Sequence, residues 1–541
     1  MVIKMAKTAK VTLHPDYKIG EVDKRLYGSF LEPIGSWVYG GIYNPRHPTA
    51  DDLGFRRDII DGIREFGLPI LRFPGGNFIS GWDWKGSIGP KDQRKAQLDL
   101  AWFQYEPNQV GHDEYIEWCK RIGAEPMYTI NVDSEDLKSA FNLVEYCNHP
   151  GGTYWSDLRK KYGHADPYGI KLWCLGNEPD GTWQIASWEK DPRGYGIRAH
   201  ELSKIIKWTD GKSETVVAGS SSPHNETYPS WDMEVLEQCY DTVDYVSIHH
   251  YHSALPGDTA NYLNSTGIIE EFINTTVAAC DYMQAKKHSP KKLMISFDEY
   301  GCNFREQREY FFGRGQRRPG SQAYDLTPGP HHDFKHMDPA NYVDRFAGRQ
   351  QYQMLNALST ASVLLLFLRR ADRVKIGVMT GGMRGALAYD GQHVWKNAAY
   401  YPYYQMNQYG RGVSILPVVD GPTFNTEQFN LDGFNQYHAY EGVQSVDVAA
   451  VHNEEKDELN IFIVNRDQED DIEVTLDVRG FEGYKLAEHI EMYTDDLKKA
   501  NTFENPDAIR PTVNSTTKID GGRITAFTKQ FSWNVIRLAK K

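Results

Sequence analysis

Two short runs, Leu175-Gly176-Asn177-Glu178 and Ser296-Phe297-Asp298-Glu299-Tyr300, each close an apolar stretch on a glutamate with a polar residue before it. Two carboxyl groups facing each other across a pocket suit the cleavage of a glycosidic bond. One, protonated, serves the leaving oxygen, and the other, ionised, serves the anomeric carbon. A gap of about 5 to 5.5 Å gives retention of configuration and one of about 6.5 to 9.5 Å gives inversion, a distance no sequence measures. A single glutamate in such a place is ordinarily a helix cap or a surface charge, so the weight rests on the pair. Leu71-Arg72-Phe73-Pro74-Gly75-Gly76-Asn77 adds a tight turn that presents Arg72 and Asn77. Arg72 also suits pairing with an internal acid, which it would keep ionised. In Ile248-His249-His250-Tyr251-His252, strand alternation sends His249 and Tyr251 to one face and His250 and His252 to the other, with one pair lining the pocket. Trp82, Trp84, Trp102 and Trp183 flank the same segments, and Trp183, five residues beyond Glu178, is the best placed to wall a sugar.

Metal chemistry has little support. The histidines near His249 and a second group, His331, His332 and His336, match no recognised ligand spacing such as H-E-x-x-H, so no metal and no cofactor is expected. The basic run Gly313 to Gly320 does not lie between a strand and a helix, so it implies a rim loop and no phosphate cradle.

Residues of this kind need a frame that gathers the ends of distant segments. Apolar, β-branched runs alternate with amphipathic helical stretches at Arg25 to Glu32, Pro69 to Pro74, Glu125 to Val132, Ile170 to Asn177, Glu214 to Ser220, Val243 to His249, Lys292 to Glu299 and Arg373 to Thr380. Helix faces recur at Phe55, Ile59, Ile63 and Phe66 before Gly67, at Tyr115, Ile116, Cys119 and Ile122 before Gly123, and from about Asn341 through Tyr352, Leu355 and Leu358 toward Leu366. Strand and helix units of this number predict an α/β fold, a (β/α)₈ TIM barrel over residues 20–400, whose chemistry sits at the C-terminal ends of the strands. Beyond residue 401 the helical period fades. Alternating segments at Val446 to His452, Leu459 to Val464, Ile472 to Val478 and Ile524 to Leu538 predict an antiparallel, jelly-roll-like β-sandwich over 401–541, joined by a strand near Ala9 to Leu13 from residues 1–19.

Composition narrows the partners. Sixty Lys and Arg against 73 Asp and Glu give a net charge of −13, a field that repels phosphate backbones and anionic membrane surfaces. The longest apolar run, Ala361 to Leu368, is too short to span a bilayer. Met1 to Leu13 lacks the apolar centre of a secretory signal, and the six cysteines form no C-x-x-C pair, so a reducing cytoplasm is expected. The sequons at Asn225, Asn264, Asn274 and Asn514 then have no route to glycosylation.

The run IKLWCLGNEPDGTWQI (Ile170 to Ile185) resembles the acid/base region of the glycoside hydrolase family 51 α-L-arabinofuranosidases. LRFPGGNFISGWDW, EYIEWCKRIGAEPM, NLVEYCNHPGGTYWSDLRKKYGH, VDYVSIHHY and SFDEY resemble further segments of that family in the same order. The resemblance implies a retaining, exo-acting enzyme that releases α-L-arabinofuranosyl groups from arabino- or arabinoxylo-oligosaccharides. Glu178 is then the acid/base and Glu299 the nucleophile. Asn177 holds the 2-hydroxyl, and Glu32, Arg72, Asn77, His249 and Tyr251 grip the furanose or orient the nucleophile. It also implies a hexamer and no metal. This chain departs from the family pattern in reading NEPDGTW for Asn-Glu-Met-Asp-Gly-Pro-Trp, Tyr300 for a tryptophan, and Gly381 where the family places a sugar-binding glutamine. The space at Gly381 leaves open an altered specificity, for a β-D-galactofuranoside or a β-xyloside. A non-catalytic sugar-binding barrel is disfavoured by the joint presence of Glu178, Glu299, Asn177 and Arg72.

Overall fold

The computed structural model describes residues 7–102, 104–254, 257–304, 335–336, 353–381, 383–430 and 436–540. The Gly313 to Gly320 run, His331, His332, the side chains of His336 and Cys302, and the part of the third helical stretch before residue 353 lie outside them.

Eight parallel strands close a barrel in chain order: Gly28–Phe30, Ile70–Phe73, Glu125–Ile130, Leu172–Leu175, Glu214–Ala218, Tyr245–Ala254, Met294–Phe304 and Val374–Thr380. All eight runs read from the sequence are present. Phe30, Ile70, Met127, Leu172, Val216 and Ile376 fill the interior, while the opposite faces of the strands pack on the surrounding helices, which is why the runs are apolar throughout. Helix Arg57–Phe66 stops at Gly67, whose φ of 74° lets its N–H reach the carbonyls of Ile63 and Arg64. Helix His112–Ile122 ends the same way at Gly123.

Two sheets pack on each other beyond the barrel. One orders Val418–Asp420, Lys7–Thr12, Ile472–Asp477, Arg523–Thr528 and Lys518–Asp520, and Lys7–Thr12 runs parallel to Ile472–Asp477. The other has seven strands, Val446–Asn453, Glu458–Asn465 and Ser532–Lys540 at its centre. The expected single segment Ile524 to Leu538 is instead two strands, broken at Phe531, whose φ of 49° turns the chain. In Val446–Asn453, Val448 and Ala450 face the sister sheet, while Ala449 and Val451 face the barrel. Helix Met354–Arg369 is wedged at that junction and buried on nearly every side, which accounts for its unbroken Val363 to Leu368 run. No helix among the described residues is long and apolar enough to cross a membrane. Arg369 of this helix donates to Asp447 at 2.7 Å, pinning barrel to sandwich, and Trp533 Nε1 donates at 2.6 Å to Gln405 of helix Tyr400–Tyr409. The five cysteines described, Cys119, Cys147, Cys174, Cys239 and Cys280, are buried free thiols.

Candidate active site

The turn after strand two runs against the end of strand one. Gly75 and Gly76 have φ of 31° and 65°, and a Cβ on Gly76 would lie 2.2 Å from the carboxyl carbon of Glu32, so glycine is needed for both conformation and clearance. The Gly76 N–H donates to Asn177 Oδ1 at 3.1 Å. Glu32 accepts from the Phe78 N–H at 3.0 Å and from Trp102 Nε1 at 2.6 Å. Burial, with the nearby charge of Glu299, raises the proton affinity of Glu32 above the ordinary carboxylate range.

Glu178 sits just past strand four with a φ of 46°, a left-handed backbone that few side chains other than glycine adopt. The following turn holds it: the Gly181 N–H donates to the Glu178 carbonyl at 2.9 Å, and Trp183 Nε1 to Glu178 Oε2 at 2.7 Å. His249 Nδ1 lies 2.9 Å from Glu178 Oε1. Across the mouth, Glu299 accepts from Arg72 at 2.7 Å and from the Tyr251 hydroxyl at 2.6 Å. Arg72 also donates to Asn177 Oδ1 at 2.9 Å and lies 3.7 Å from Asp298. Tyr251 is held as a phenol by burial and by Glu299, and it meets Thr380 at 2.9 Å.

Asp298 and His249 occupy the floor. Asp298 is fully buried and binds Ser247 and, at 3.0 Å, His249 Nε2. Burial would raise its proton affinity, yet Arg72 and His249 hold it below the usual carboxylate range. Burial would likewise lower His249, but Glu299, Asp298 and Glu178 together push it up to about 10. It is therefore an imidazolium donating from both nitrogens to carboxyl oxygens, those of Glu178 and Asp298. That leaves it no nitrogen for a sugar hydroxyl, so its contribution runs through Glu178 and Asp298.

One oxygen each of Glu178 and Glu299 and a nitrogen of His249 lie within 4.8 Å of one another. This is the cluster among the described residues best suited by geometry to a metal ion, but a histidine donating from both nitrogens has no lone pair to offer one. Carboxyl oxygens this near each other fit the closely set pair of a retaining enzyme.

The sequence-read residues Glu32, Arg72, Asn77, Asn177, Glu178, Trp183, His249, Tyr251 and Glu299 converge here. Trp82 and Trp84 do not: both are buried, with their indole N–H groups on Asn108 and Ser139. His250 and His252 point away, and burial lowers the proton affinity of both. Sequence reasoning missed Asp298, Ser247, Thr380 and Gln184. Gly381 has a φ of 106°, and a Cβ there would meet nothing closer than 3.8 Å. A Cβ would sit in ordinary contact with Gly385, Arg384 and Trp37, on a backbone ill suited to a side chain.

Residues 63–266 match the family model described as alpha-L-arabinofuranosidase 1 domain, and residues 298–532 the alpha-L-arabinofuranosidase C-terminal domain. The chain is 39% identical over 540 residues to an intracellular exo-alpha-(1->5)-L-arabinofuranosidase of Halalkalibacterium halodurans, with 99% of this chain and 100% of that protein covered. To the intracellular exo-alpha-(1->5)-L-arabinofuranosidase 1 of Bacillus subtilis it is 38% identical over 538 residues, with the same coverage. Among solved structures, a family 51 alpha-L-arabinofuranosidase from Bifidobacterium longum superimposes with a TM-score of 0.84 at 28% identity, over 99% of this chain and 100% of that one. The Thermotoga maritima alpha-L-arabinofuranosidase in its arabinose complex gives 0.82 at 27%, over 98% and 100%.

Proposed function

The chain belongs to the glycoside hydrolase family 51 α-L-arabinofuranosidases, retaining enzymes, and from that premise we propose how its own residues release an α-L-arabinofuranosyl group. Glu299 attacks the anomeric carbon as the bond to the leaving oxygen breaks, and Glu178 gives that oxygen its proton. The sugar is left esterified to Glu299. Glu178 then takes a proton from water, which attacks the same carbon and breaks the ester, so two inversions restore the original configuration.

The observation that carries this reading is that Glu178 and Glu299 face each other with carboxyl oxygens within 4.8 Å, each held by separate donors. Arg72 and Tyr251 aim Glu299. Trp183 and His249 aim Glu178, so Trp183 acts on the acid as well as walling the pocket. Asn177 offers its N–H groups to the 2-hydroxyl, and Glu32 and Asn77 take the remaining hydroxyls. No cofactor or metal enters any step. Residues 20–400 form the catalytic unit, and residues 401–541, with the strand from 1–19, form its support. The substrates are imported arabino- or arabinoxylo-oligosaccharides met in the cytoplasm. The acidic surface, the buried free thiols and the naming of relatives as intracellular support that place. A hexamer is the assembly that family likeness implies.

Initial rates on aryl α-L-arabinofuranoside, β-D-galactofuranoside and β-D-xylopyranoside test the sugar. Fastest turnover of the arabinofuranoside is expected. A faster rate on either of the others would overturn it and point to Gly381, where this chain lacks the glutamine side chain, as the residue-level cause. Gly76→Ala tests the shell. Strain at φ 65° and overlap with Glu32 cost about 1 to 3 kcal/mol, so KM for the arabinofuranoside rises about tenfold or more. An unchanged KM would remove Glu32 from the pocket.

A further inference from the structure

Gln184 closes the turn that carries Glu178, and its buried side-chain amide has a full set of partners. Nε2 donates to the backbone carbonyl of Asn177 at 3.0 Å and to Asn77 Oδ1 at 2.6 Å, and Oε1 lies 3.0 Å from Ser80 Oγ. A backbone carbonyl only accepts, so this amide cannot be turned over: Nε2 is pinned to Asn177, and Oε1 must face Ser80. Ser80 Oγ also lies 2.6 Å from Asp133 Oδ2. One hydroxyl hydrogen thus stands between two oxygens that would both be acceptors were Asp133 ionised.

Asp133 follows strand three. Its Oδ1 is shut off from solvent and faces the Trp188 indole without a hydrogen bond of ordinary geometry, a costly setting for a charge. Facing it are Ser80 from the loop after strand two, Trp188 from the loop after strand four, and Tyr195 and Arg198 of helix Pro192–Asp210. Arg198 favours the ionised form from its place over the Trp188 ring, where one of its N–H groups donates to the Glu135 carbonyl. Burial prevails and pushes Asp133 up to about 7.

We propose that Asp133 in its protonated form is a positioning residue. Its O–H donates to Ser80, Ser80 donates to Gln184, and Gln184 fixes the Asn77 amide with its N–H groups toward the sugar while holding the Asn177 carbonyl beside Glu178. This rests on the site reading above. Ionising Asp133 draws the Ser80 hydrogen to the carboxylate, leaves Gln184 Oε1 without a donor and loosens Asn77. Sugar binding then weakens on the alkaline side.

The test measures KM for an aryl α-L-arabinofuranoside at about pH 5.5 and about pH 8.5, on either side of the midpoint, in the wild type, Asp133→Asn and Ser80→Ala. The wild-type KM is expected to rise about tenfold, the worth of about one hydrogen bond. The asparagine amide donates to Ser80 at every pH, so Asp133→Asn keeps its low KM at both. Ser80→Ala shows the raised KM at both. The same alkaline rise in Asp133→Asn, or a wild-type profile in Ser80→Ala, would overturn the proposal.

Thermal unfolding gives a readout without turnover. A carboxyl that binds its proton more tightly folded than unfolded loses stability as pH rises from about 4 to its folded midpoint. The Tm of Asp133→Asn minus that of the wild type should therefore grow over that range, and a constant difference overturns the proposal. If no arabinofuranoside is turned over at any pH, the functional reading falls, while the thermal comparison still locates the proton.

Discussion

Glu299→Ala turns over no arabinofuranoside at a useful rate and stays folded. The loss is at least about 10⁴-fold, about 5 kcal/mol of transition-state stabilisation, because no other oxygen stands where Arg72 and Tyr251 aim this one. The fold survives since the buried Arg72 guanidinium keeps Asp298 and Asn177 as partners. Azide is small enough to enter the vacated space. It forms a bond to the anomeric carbon as the leaving oxygen departs with the proton of Glu178, and one displacement yields the arabinosyl azide of inverted configuration. A variant that retained more than about one hundredth of the wild-type rate would strip Glu299 of the nucleophile's role.

Glu178→Ala separates substrates by their leaving groups. An alkoxide from an oligosaccharide departs only with a proton, so kcat/KM on arabino-oligosaccharides falls about 10³-fold or more. A dinitrophenolate leaves unaided, so kcat/KM on that glycoside falls only a few-fold, while kcat drops because no base activates the water. Azide needs no base. It attacks the ester on Glu299, restores kcat and gives the azide of retained configuration, the opposite outcome to that of Glu299→Ala. Equal losses on both substrates would sink the acid/base role.

The strands and their glutamates were readable because the barrel demands apolar runs of a set length and places chemistry at one end of each. His249 and Tyr251 were readable as one of two alternating pairs. Asp298 was not. Strand seven holds one residue more than its neighbours: Ser247 pairs with Ser296 but His249 with Glu299, and Phe297 pairs with Gly377 but Tyr300 with Met379. This bulge lets the consecutive residues Asp298 and Glu299 both reach the site, where regular alternation would part them. Ser80, Asp133 and Gln184 were invisible for another reason. Each is an ordinary polar residue on a different loop, and only the closed barrel brings them into one line.

The pairing of Lys7–Thr12 with Ile472–Asp477 bears on how the chain is made. Lys7 also binds Asp467, 460 positions later. At roughly 5 to 20 residues per second, the ribosome releases the first strand about half a minute or more before its partners exist. The barrel therefore emerges and can close as an insertion inside an unfinished sandwich. A strand that turns Ala9 and Val11 to one face meanwhile waits with both edges bare, a state in which nascent chains are open to pairing with each other or to capture by a chaperone.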